Sequence, residues 1–333
     1  MNFDSDTKIA VFGELLLRVS TQTGSFVNSN SGIAIYAGGS EANVASSLAC
    51  MGTQVSYISR VPDNQLVHQT LASLTERGID TSRCLFGGDR IGLYFLLSAN
   101  GLSKGDVVYD RKYSSFSLLK AGTIDWDALL AGHSWFHWTA LTPALNEDMA
   151  AVCKEALEAA KRKGLTISVD LNYRNKLWNY GKSPLAVMPE LVAYCDVIMG
   201  NIWAAHTMLG TSVDENLTRE TSKEEYFEHA NKSAVEIFKQ YPTCKHLAYT
   251  FRFMDSPSHN LFYGTYHTKE GNFISETNET NEVIDRIGSG DAFMGGLIHA
   301  LSTKRPPQEV IAVATSAGFK KLFVQGDLGD GSY

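Results

Sequence analysis

The chain contains 333 residues, of which 44% are hydrophobic, so it is long enough to bury the core of a large α/β domain. Its formal net charge of -7 argues against a nucleic-acid-binding protein, whose contact surface would be basic, and favours a small-molecule ligand. The five cysteines form no CxxC pair, which indicates neither a disulfide framework nor a zinc site.

The amino end, "MNFDSDTKIAVFG", runs directly into strand-like sequence. It lacks the basic start and apolar stretch of a signal peptide, and no apolar run in the chain is long enough to span a membrane. We therefore expect a cytoplasmic protein that has no membrane partner.

Short apolar runs that predict β-strands alternate along the chain with segments that predict helices. In chain order the strand-like runs are "KIAVFGELLLRVS" (8–20), "VSYISRV" (55–61), "WFHWTA" (135–140), "TISVDLNY" (166–173), "DVIMGN" (196–201) and "HLAYTF" (246–251). The clearest helix is predicted over 146–164, where apolar residues recur at three- and four-residue spacing before a basic end and Gly164. This alternation is typical of βαβ units and predicts a mostly parallel sheet covered by helices.

The alternation breaks around 14–37 and around 90–113. The second stretch, "RIGLYFLLSANGLSKGDVVYDRKY", predicts a hairpin that turns at Asn100-Gly101 and has no helix. We expect the two stretches to pair into a small accessory sheet. The polar segment 211–233 is interpreted as a surface loop and helix.

An early glycine motif, "YAGGSEANVASSLACMG", predicts a helix that begins at Ser40 and carries Asn43 in its first turn. The paired Gly38 and Gly39 would let a ligand approach the backbone closely, and Asn43 could bond its hydroxyl groups. The alternative is an ordinary helix start that is capped by Ser40.

A late glycine motif, "DRIGSGDAFMGGL" (285–297), opens a second helix. It is neither a P-loop nor a dinucleotide fingerprint, yet free amides at a helix start attract phosphate. At ~4 Å the carboxylate of Asp291 would repel a phosphate charge by roughly 1 kcal/mol in water and about 4 kcal/mol at an effective dielectric near 20. Either Asp291 only complements the helix dipole, or it takes a proton from a hydroxyl that attacks the phosphate.

The two motifs together, "GGSEANVA" and "GSGDAF", resemble the ribokinase-like (PfkB-type) carbohydrate kinases, whose late signature reads Asp-Thr-x-Gly-Ala-Gly-Asp. The resemblance extends over nearly the whole chain and implies one ribokinase-like α/β domain over 1–333. That fold has a mostly parallel central sheet flanked by helices and a small β-sheet lid, which 14–37 and 90–113 would form. The resemblance also implies ATP with Mg²⁺ as donor, Asp291 as base, and an anion hole formed by the amides of Gly288, Ser289, Gly290 and Asp291.

Three further stretches, "RIGLYFLL", "VVYDR" and "DLNYRNKLW", are similar to 2-keto-3-deoxygluconate kinases. By this resemblance Tyr94, Tyr109 and Arg111 contact a sugar acid beside the early glycine motif, and Arg174 reaches the region of phosphate transfer. A sugar acid calls for a guanidinium that can hold its carboxylate with two hydrogen bonds. Taken alone, an arginine such as Arg111 is more often a solvated surface charge.

The chain departs from the family pattern at three places, and at one of them "RVPDNQ" (60–65) replaces a more glycine-rich stretch. Where such kinases carry Asn-x-x-Glu, it reads Asn201-Ile202-Trp203-Ala204, so the glutamate is missing and the metal ligands are left open. The family likeness still implies nucleotide contacts at Asn201, Thr250, Gly288 and Gly290. The threonine of the late signature is Arg286, although Asp285 is retained as a possible site for a monovalent cation.

These observations predict an ATP-dependent kinase that phosphorylates the primary hydroxyl of 2-keto-3-deoxygluconate to give the 6-phosphate. One alternative is a kinase of the same fold that acts on a neutral sugar or a nucleoside, like a fructokinase or ribokinase. Another is a catalytically weak sugar-binding protein, which the missing glutamate permits. Since the outer face of such a lid needs cover, we expect a homodimer formed through the lid.

Overall fold

The computed structural model describes residues 7–21, 26, 32–97 and 107–333. Its strands are β1 (Lys8–Phe12), β2 (Leu16–Thr21), β3 (Ile33–Gly38), β4 (Gln54–Ile58), β5 (Arg60–Val61), β6 (Ile79–Asp80), β7 (Leu85–Phe86), β8 (Gly92–Leu96), β9 (Val107–Asp110), β10 (Trp135–Thr139), β11 (Thr166–Asp170), β12 (Val197–Gly200), β13 (His246–Phe253), β14 (Asn260–His267), β15 (Asn272–Ile274) and β16 (Asn278–Thr280). Its helices are α1 (Ser40–Cys50), α2 (Gln65–Glu76), α3 (Trp126–Leu129), α4 (Glu147–Arg162), α5 (Pro184–Val192), α6 (Ile202–Leu209), α7 (Lys223–Gln240), α8 (Ser289–Ser302) and α9 (Pro307–Lys320), followed by a short 3-10 helix (Lys321–Phe323).

The large sheet has the strand order β15-β14-β13-β12-β11-β10-β1-β4-β6, and β16 also pairs with β14. Strands from β6 to β13 in this order are parallel, whereas β14 and its partners are antiparallel. All six predicted strand runs contribute strands, which confirms the mostly parallel sheet. The run 8–20 divides between two sheets, because Gly13–Leu15 leave the large sheet after β1 and the chain enters the small one as β2.

Helix α4 illustrates why these residues form these elements. The side chain of Asn146 caps it by accepting from the Met149 amide at 2.9 Å, and acidic residues in the first turn and basic ones in the last complement the helix dipole. The apolar positions that predicted this helix are all buried: Met149, Val152, Cys153, Ala156, Leu157 and Ala160. The predicted span 146–164 exceeds the helix only by its flanking residues.

Both faces of the large sheet are buried. In β1, Ile9 and Val11 belong to one apolar cluster, while Ala10 and Phe12 belong to another. Since neighbouring side chains of a strand point to opposite faces, each face has its own core under helices, as parallel sheets require. Among the described residues no helix has the length and apolar character needed to cross a membrane.

The small sheet, called the lid below, has the order β3-β2-β8-β9 and confirms the predicted pairing of the two exceptional stretches. Strands β8 and β9 form the predicted antiparallel hairpin, whose expected Asn100-Gly101 turn lies outside the described residues. Strand register places two rows of side chains on opposite faces. One row is Tyr36, Arg18, Tyr94 and Tyr109, and the other is Ile35, Val19, Phe95 and Val108.

Candidate active site

A cavity of about 310 Å³ lies between the lid and the carboxyl ends of the parallel strands. The lid contributes side chains of β2, β8 and β9, and the large domain contributes the starts of α1 and α8. Open α/β sheets bind ligands at this edge, where successive strands deliver their last side chains to one place. The two glycine motifs, about 250 residues apart in the chain, therefore meet in one cavity.

Asp291 lies in the first turn of α8, on the floor of this cavity. One carboxylate oxygen accepts from the Ser40 hydroxyl at 2.5 Å, and the other accepts from the Asn43 side-chain amide at 2.7 Å. Burial raises the pKa of Asp291 above its usual value, while these hydrogen bonds oppose the shift. A carboxylate that is oriented by two donors and holds a proton more tightly than usual is suited to act as a general base.

Ser40 is the first helical residue of α1 and not its cap, because Gly39 occupies the cap position and no side chain caps the helix. Its hydroxyl is instead committed to Asp291 and accepts from the side-chain amide of Asn172 at 2.9 Å. Asn172 has a φ of 26°, a strained value for a residue with a Cβ. The capping alternative for Ser40 is thus wrong.

Positions 38 and 39 require glycine for a different reason than the close approach of a ligand that the sequence suggested. A Cβ on Gly38 would stand 2.3 Å from a carboxylate oxygen of Asp327, and one on Gly39, whose φ is 120°, would stand 2.2 Å from the Glu14 carbonyl. The close approach at both positions is therefore made by the protein itself. Gly39 lines the cavity. Gly38 is not among the described residues that line it, so the predicted contact between Gly38 and a ligand is corrected.

The two late glycines differ in their surroundings, and only Gly290 faces open space where a phosphate is expected. Gly288 has a φ of 83°, and a Cβ there would stand 2.3 Å from the Asp327 carbonyl. Beyond its chain neighbours and the adjacent backbone of α8, no described atom lies within 4 Å of a Cβ placed on Gly290. The Ser289 amide is used by the Arg286 carbonyl at 3.3 Å, whereas the Gly290 and Asp291 amides have no acceptor among the described residues. Two of the predicted amides are thus free for an anion.

Two tyrosines of the lid row that also holds Arg18 face the cavity. Tyr94 and Tyr109 both line it, and their ring centroids are 6.4 Å apart. The Tyr94 hydroxyl donates a short hydrogen bond to Asp327. Because its only hydrogen is used in that bond, Tyr94 can offer a ligand just its oxygen lone pairs.

Arg111 also lines the cavity, and it is not the solvated charge that was its alternative interpretation. It is only 5% exposed, and its Nε donates to the Glu14 carboxylate at 2.6 Å. The other guanidinium nitrogens remain for further partners at the cavity wall. Arg111 is thus a buried cation that the fold positions under the lid.

Arg174 and Asp170 face the same space from the end of β11 and the loop that follows it. Burial and the nearby charge of Asp291 raise the pKa of Asp170 to about 7, and the positive charge of Arg174 opposes that rise. The side chain of Arg174 is exposed and donates to the Tyr173 carbonyl at 3.2 Å. All predicted catalytic residues therefore line one cavity, together with every predicted sugar contact except Gly38.

Sequence reasoning missed two further arginines of the site. Arg252 donates to the Ser289 hydroxyl at 2.7 Å, beside the free amides of α8. Arg286 lines the cavity and donates hydrogen bonds to the carbonyls of Pro257 and His259. These two bonds hold the turn between β13 and β14. A signal for Arg252 existed, since it follows the strand run "HLAYTF" at the carboxyl end of a parallel strand.

The predicted nucleotide contacts belong to neighbouring strands, since Asn201 directly follows β12 and Thr250 lies within β13. The Asn201 side chain caps α6 by accepting from the Ala204 amide at 2.8 Å, and the Thr250 hydroxyl donates to the Gly200 carbonyl at 3.3 Å. Neither residue is among the described residues that line the cavity. Their role toward a nucleotide stays a prediction.

Comparison with known proteins adds to this geometry. A model of the pfkB family of carbohydrate kinases matches residues 6–237. The 2-dehydro-3-deoxygalactonokinase of Haloferax volcanii is 23% identical over 96% of this chain and 92% of its own length. The 2-dehydro-3-deoxygluconokinase of Bacillus subtilis is 26% identical over 87% of this chain and 82% of its own length.

Solved structures show the same fold. The crystal structure of 2-dehydro-3-deoxygluconokinase from Thermotoga maritima matches with a TM-score of 0.88 and 32% identity, over 98% of this chain and 96% of that one. A putative ribokinase II from E. coli, in complex with ATP and Mg²⁺, matches with a TM-score of 0.77 and 16% identity, over 98% and 96%. The family match covers more than half of the sequence and the fold match nearly all of it, and this chain therefore belongs to the pfkB family of carbohydrate kinases.

Proposed function

We propose that this kinase transfers the terminal phosphoryl group of ATP to the primary hydroxyl of 2-dehydro-3-deoxygluconate (2-keto-3-deoxygluconate) and forms the 6-phosphate. The observation that carries the proposal is one cavity that holds both a positioned carboxylate, Asp291, and a buried guanidinium, Arg111. The first suits a hydroxyl that must lose a proton, and the second suits a substrate that carries a carboxylate. The two relatives named above that act on 2-dehydro-3-deoxy sugar acids support the same substrate class.

In the proposed reaction Asp291 takes the proton of the acceptor hydroxyl as that oxygen forms its bond to phosphorus. The bond between phosphorus and the leaving oxygen of ADP breaks in the same displacement. The free amides of Gly290 and Asp291 face the charge that develops on the transferred group, and Arg174 and Arg252 add positive charge beside it. The repulsion between Asp291 and phosphate is thus a consequence of placing a base next to the reacting group.

Kinases of this family use ATP, and magnesium neutralises part of the phosphate charge. Among the described residues no group of three or more His, Cys, Asp or Glu side chains is gathered for a metal ion. Most ligands of Mg²⁺ would therefore come from nucleotide phosphates and water, which is this ion's usual arrangement. Asp170, whose carboxylate lines the cavity, would be the protein's ligand.

The charges around the cavity also orient the proposed substrate. The carboxylate of Asp327 lies beside Tyr94 and would repel a substrate carboxylate at that position. Arg111 would attract it. The acid end of the sugar would therefore lie near Arg111, while its hydroxyls would donate to Tyr94 and form hydrogen bonds with Asn43 and Tyr109.

A neutral-sugar kinase is the second candidate, and one observation favours it. Glu14 already balances the charge of Arg111, with 2.6 Å between the paired atoms, so the cavity needs no substrate carboxylate to be electrically satisfied. The two candidates therefore differ in what the remaining guanidinium nitrogens bind.

A coupled assay of ADP release separates the two candidates. The panel contains 2-dehydro-3-deoxygluconate, its galacto epimer and gluconate as acids, and fructose and ribose as neutral sugars. Since a hydrogen bond to a charged group contributes about 1.5–3 kcal/mol, we expect kcat/KM for the best acid to exceed that for any neutral sugar by roughly one to two decades. A neutral sugar with the highest kcat/KM would contradict the proposed substrate class.

A further inference from the structure

Four charged side chains form a buried cluster between the lid and the start of α8. The cations are Arg18, on β2, and Lys321, in the short 3-10 helix, and the anions are Asp285 and Asp327. Each of the four residues is at most 2% exposed. Because two positive charges face two negative ones, the cluster is neutral without any bound ion.

The carboxylate of Asp285 is surrounded by donors. Two nitrogens of Arg18 donate to its two oxygens, at 3.2 and 2.6 Å. The amides of Ile287 and Gly326 donate at 3.0 Å each, and the side chain of Gln325 donates at 3.3 Å. Five hydrogen bonds exceed the roughly four lone-pair sites of a carboxylate, so no oxygen lone pair is left to bind a cation.

The ammonium group of Lys321 occupies the carbonyl oxygens near this carboxylate in a similar way. Its ammonium donates to the carbonyls of Val324 and Gly326 at 2.9 and 2.8 Å. It also lies in the field of both Asp285 and Asp327. Carbonyl and carboxylate oxygens are the groups that a monovalent cation would need, and here a tethered ammonium already occupies them.

These contacts do not fit the monovalent cation that the family resemblance suggests for Asp285. An additional ion would have to displace a side-chain cation or add an uncompensated charge to a buried, neutral cluster. Burying an unbalanced charge away from water is strongly unfavourable. The cluster adjoins the loop that shapes the anion hole. Asp285 is three residues before Gly288, and the Asp327 carbonyl packs against Gly288.

We propose that Arg18 and Lys321 supply from within the chain the positive charge that holds the loop before α8, so that this kinase works without a bound monovalent cation. Arg18 and Lys321 are positioning residues in this account. Arg18 belongs to the lid and stacks 4.3 Å from the ring centroid of Tyr36. The same guanidinium therefore also ties the lid to the anion hole.

A salt series on the full chain tests the proposal. The thermal midpoint Tm and the rate of sugar-dependent ADP release are measured in choline chloride, NaCl and KCl at equal ionic strength, with MgATP free of Na⁺ and K⁺. An ion that binds the folded state would raise Tm, so we expect the same Tm in all three salts and rates within about twofold. Clear activation or stabilisation by K⁺ or Na⁺ would overturn the proposal. The Tm readout needs no substrate, so it stands even if the proposed sugar is wrong.

Variants of neighbouring lysines give the matched comparison. Lys321→Met removes the buried ammonium, and we expect at least about a tenfold loss of kcat in choline chloride that K⁺ or NH₄⁺ partly restores. Lys320→Met removes an exposed ammonium that donates to the Tyr333 carbonyl, and it should show no response to the cation. A folded Lys321→Met protein with wild-type kcat, or with a loss that neither ion relieves, would contradict the role of the ammonium. If that variant does not fold, the wild-type salt series decides.

Discussion

At the scale of single residues, the proposed phosphoryl transfer depends on the carboxylate of Asp291. Its two oxygens accept from Ser40 and Asn43, which belong to the other glycine motif, and no lysine or arginine is paired with it among the described ion pairs. The carboxylate is therefore held by neutral donors that orient it without taking up its negative charge. Its remaining lone pairs are available to a substrate proton.

We expect Asp291→Asn to lower kcat by ~10²–10⁴-fold, because a positioned general base supplies that much rate and an amide cannot take the proton. Binding of the nucleotide, measured by calorimetry, should persist. Asp170→Asn is the matched comparison, since it alters another buried carboxylate of the same cavity. Added Mg²⁺ should relieve part of the Asp170→Asn defect and none of the Asp291→Asn defect. Near-normal turnover by folded Asp291→Asn protein would remove the mechanism.

The sequence predicted the residues of the site better than it predicted their partners. Asn43 and Asp291 could be named because each belongs to a short glycine motif at a helix start, whereas Tyr94 and Tyr109 were named through the family resemblance. Their partners could not, since the bonds join distant positions: Glu14 to Arg111 across 97 residues and Tyr94 to Asp327 across 233. Neither Glu14 nor Asp327 belongs to a sequence motif that would predict a hydrogen bond to a distant side chain.

At the scale of elements, helix α1 contains a buried carboxyl group, whose charged form is unfavourable there and which the pattern of strands and helices does not reveal. Glu41, in its first turn, is 2% exposed and accepts from the amide and hydroxyl of Thr139, at 3.1 and 2.7 Å. Burial raises the pKa of Glu41 from its usual 4.5 to about 7. The folded protein therefore binds this proton more tightly than the unfolded chain does.

The direction of that shift sets a pH dependence. Stability from the protonated carboxyl is complete below the unfolded pKa of 4.5 and is lost as the pH rises through about 7. The loss from this group is up to about 1.4 kcal/mol per pH unit in that interval. Glu41→Gln stays neutral and keeps an acceptor for Thr139, so its unfolding free energy should fall less between pH 5 and pH 8. Urea unfolding of both proteins measures it, and equal pH dependence would show that Glu41 does not titrate in this range.

Elements were predictable where local chemistry decides them. The start of α4 follows from its Asn146 cap and its end from basic residues, and both were visible in the sequence. The start of α1 was placed correctly at Ser40, but neither interpretation of the motif gave that serine the partner it has. Its hydroxyl serves a helix 251 positions away, and only the folded chain brings the two together.

At the scale of the whole molecule, the outer face of the lid is apolar and open. Ile33 and Ile35 are 59% and 60% exposed and Val108 is 45% exposed, on the face opposite the cavity. The strand pattern accounts for this, since alternate residues of each strand must face away from the sugar. Exposed apolar patches of this kind mark interaction surfaces.

We expect two chains to pair through this face. Sedimentation at micromolar concentration should then give twice the chain mass of 36.5 kDa. Ile35→Lys should shift the protein to the monomer, whereas Val235→Lys, which charges an exposed apolar residue of α7, should not. A wild-type protein that sediments only as a monomer would contradict the pairing.

The ratio of kcat/KM for 2-dehydro-3-deoxygluconate to that for a neutral sugar measures whether the cavity selects a sugar acid. Arg111→Ala should lower this ratio by roughly one to two decades and leave the KM for ATP nearly unchanged. Because the variant also strands the buried Glu14, a damaged lid would reduce both rates, but only a lost carboxylate contact changes their ratio. Glu14→Gln is the control, since it breaks the same ion pair, keeps the guanidinium and should preserve the preference for the acid. A ratio that is the same in Arg111→Ala and in the wild type would contradict the sugar-acid assignment and make the neutral-sugar kinase the better account.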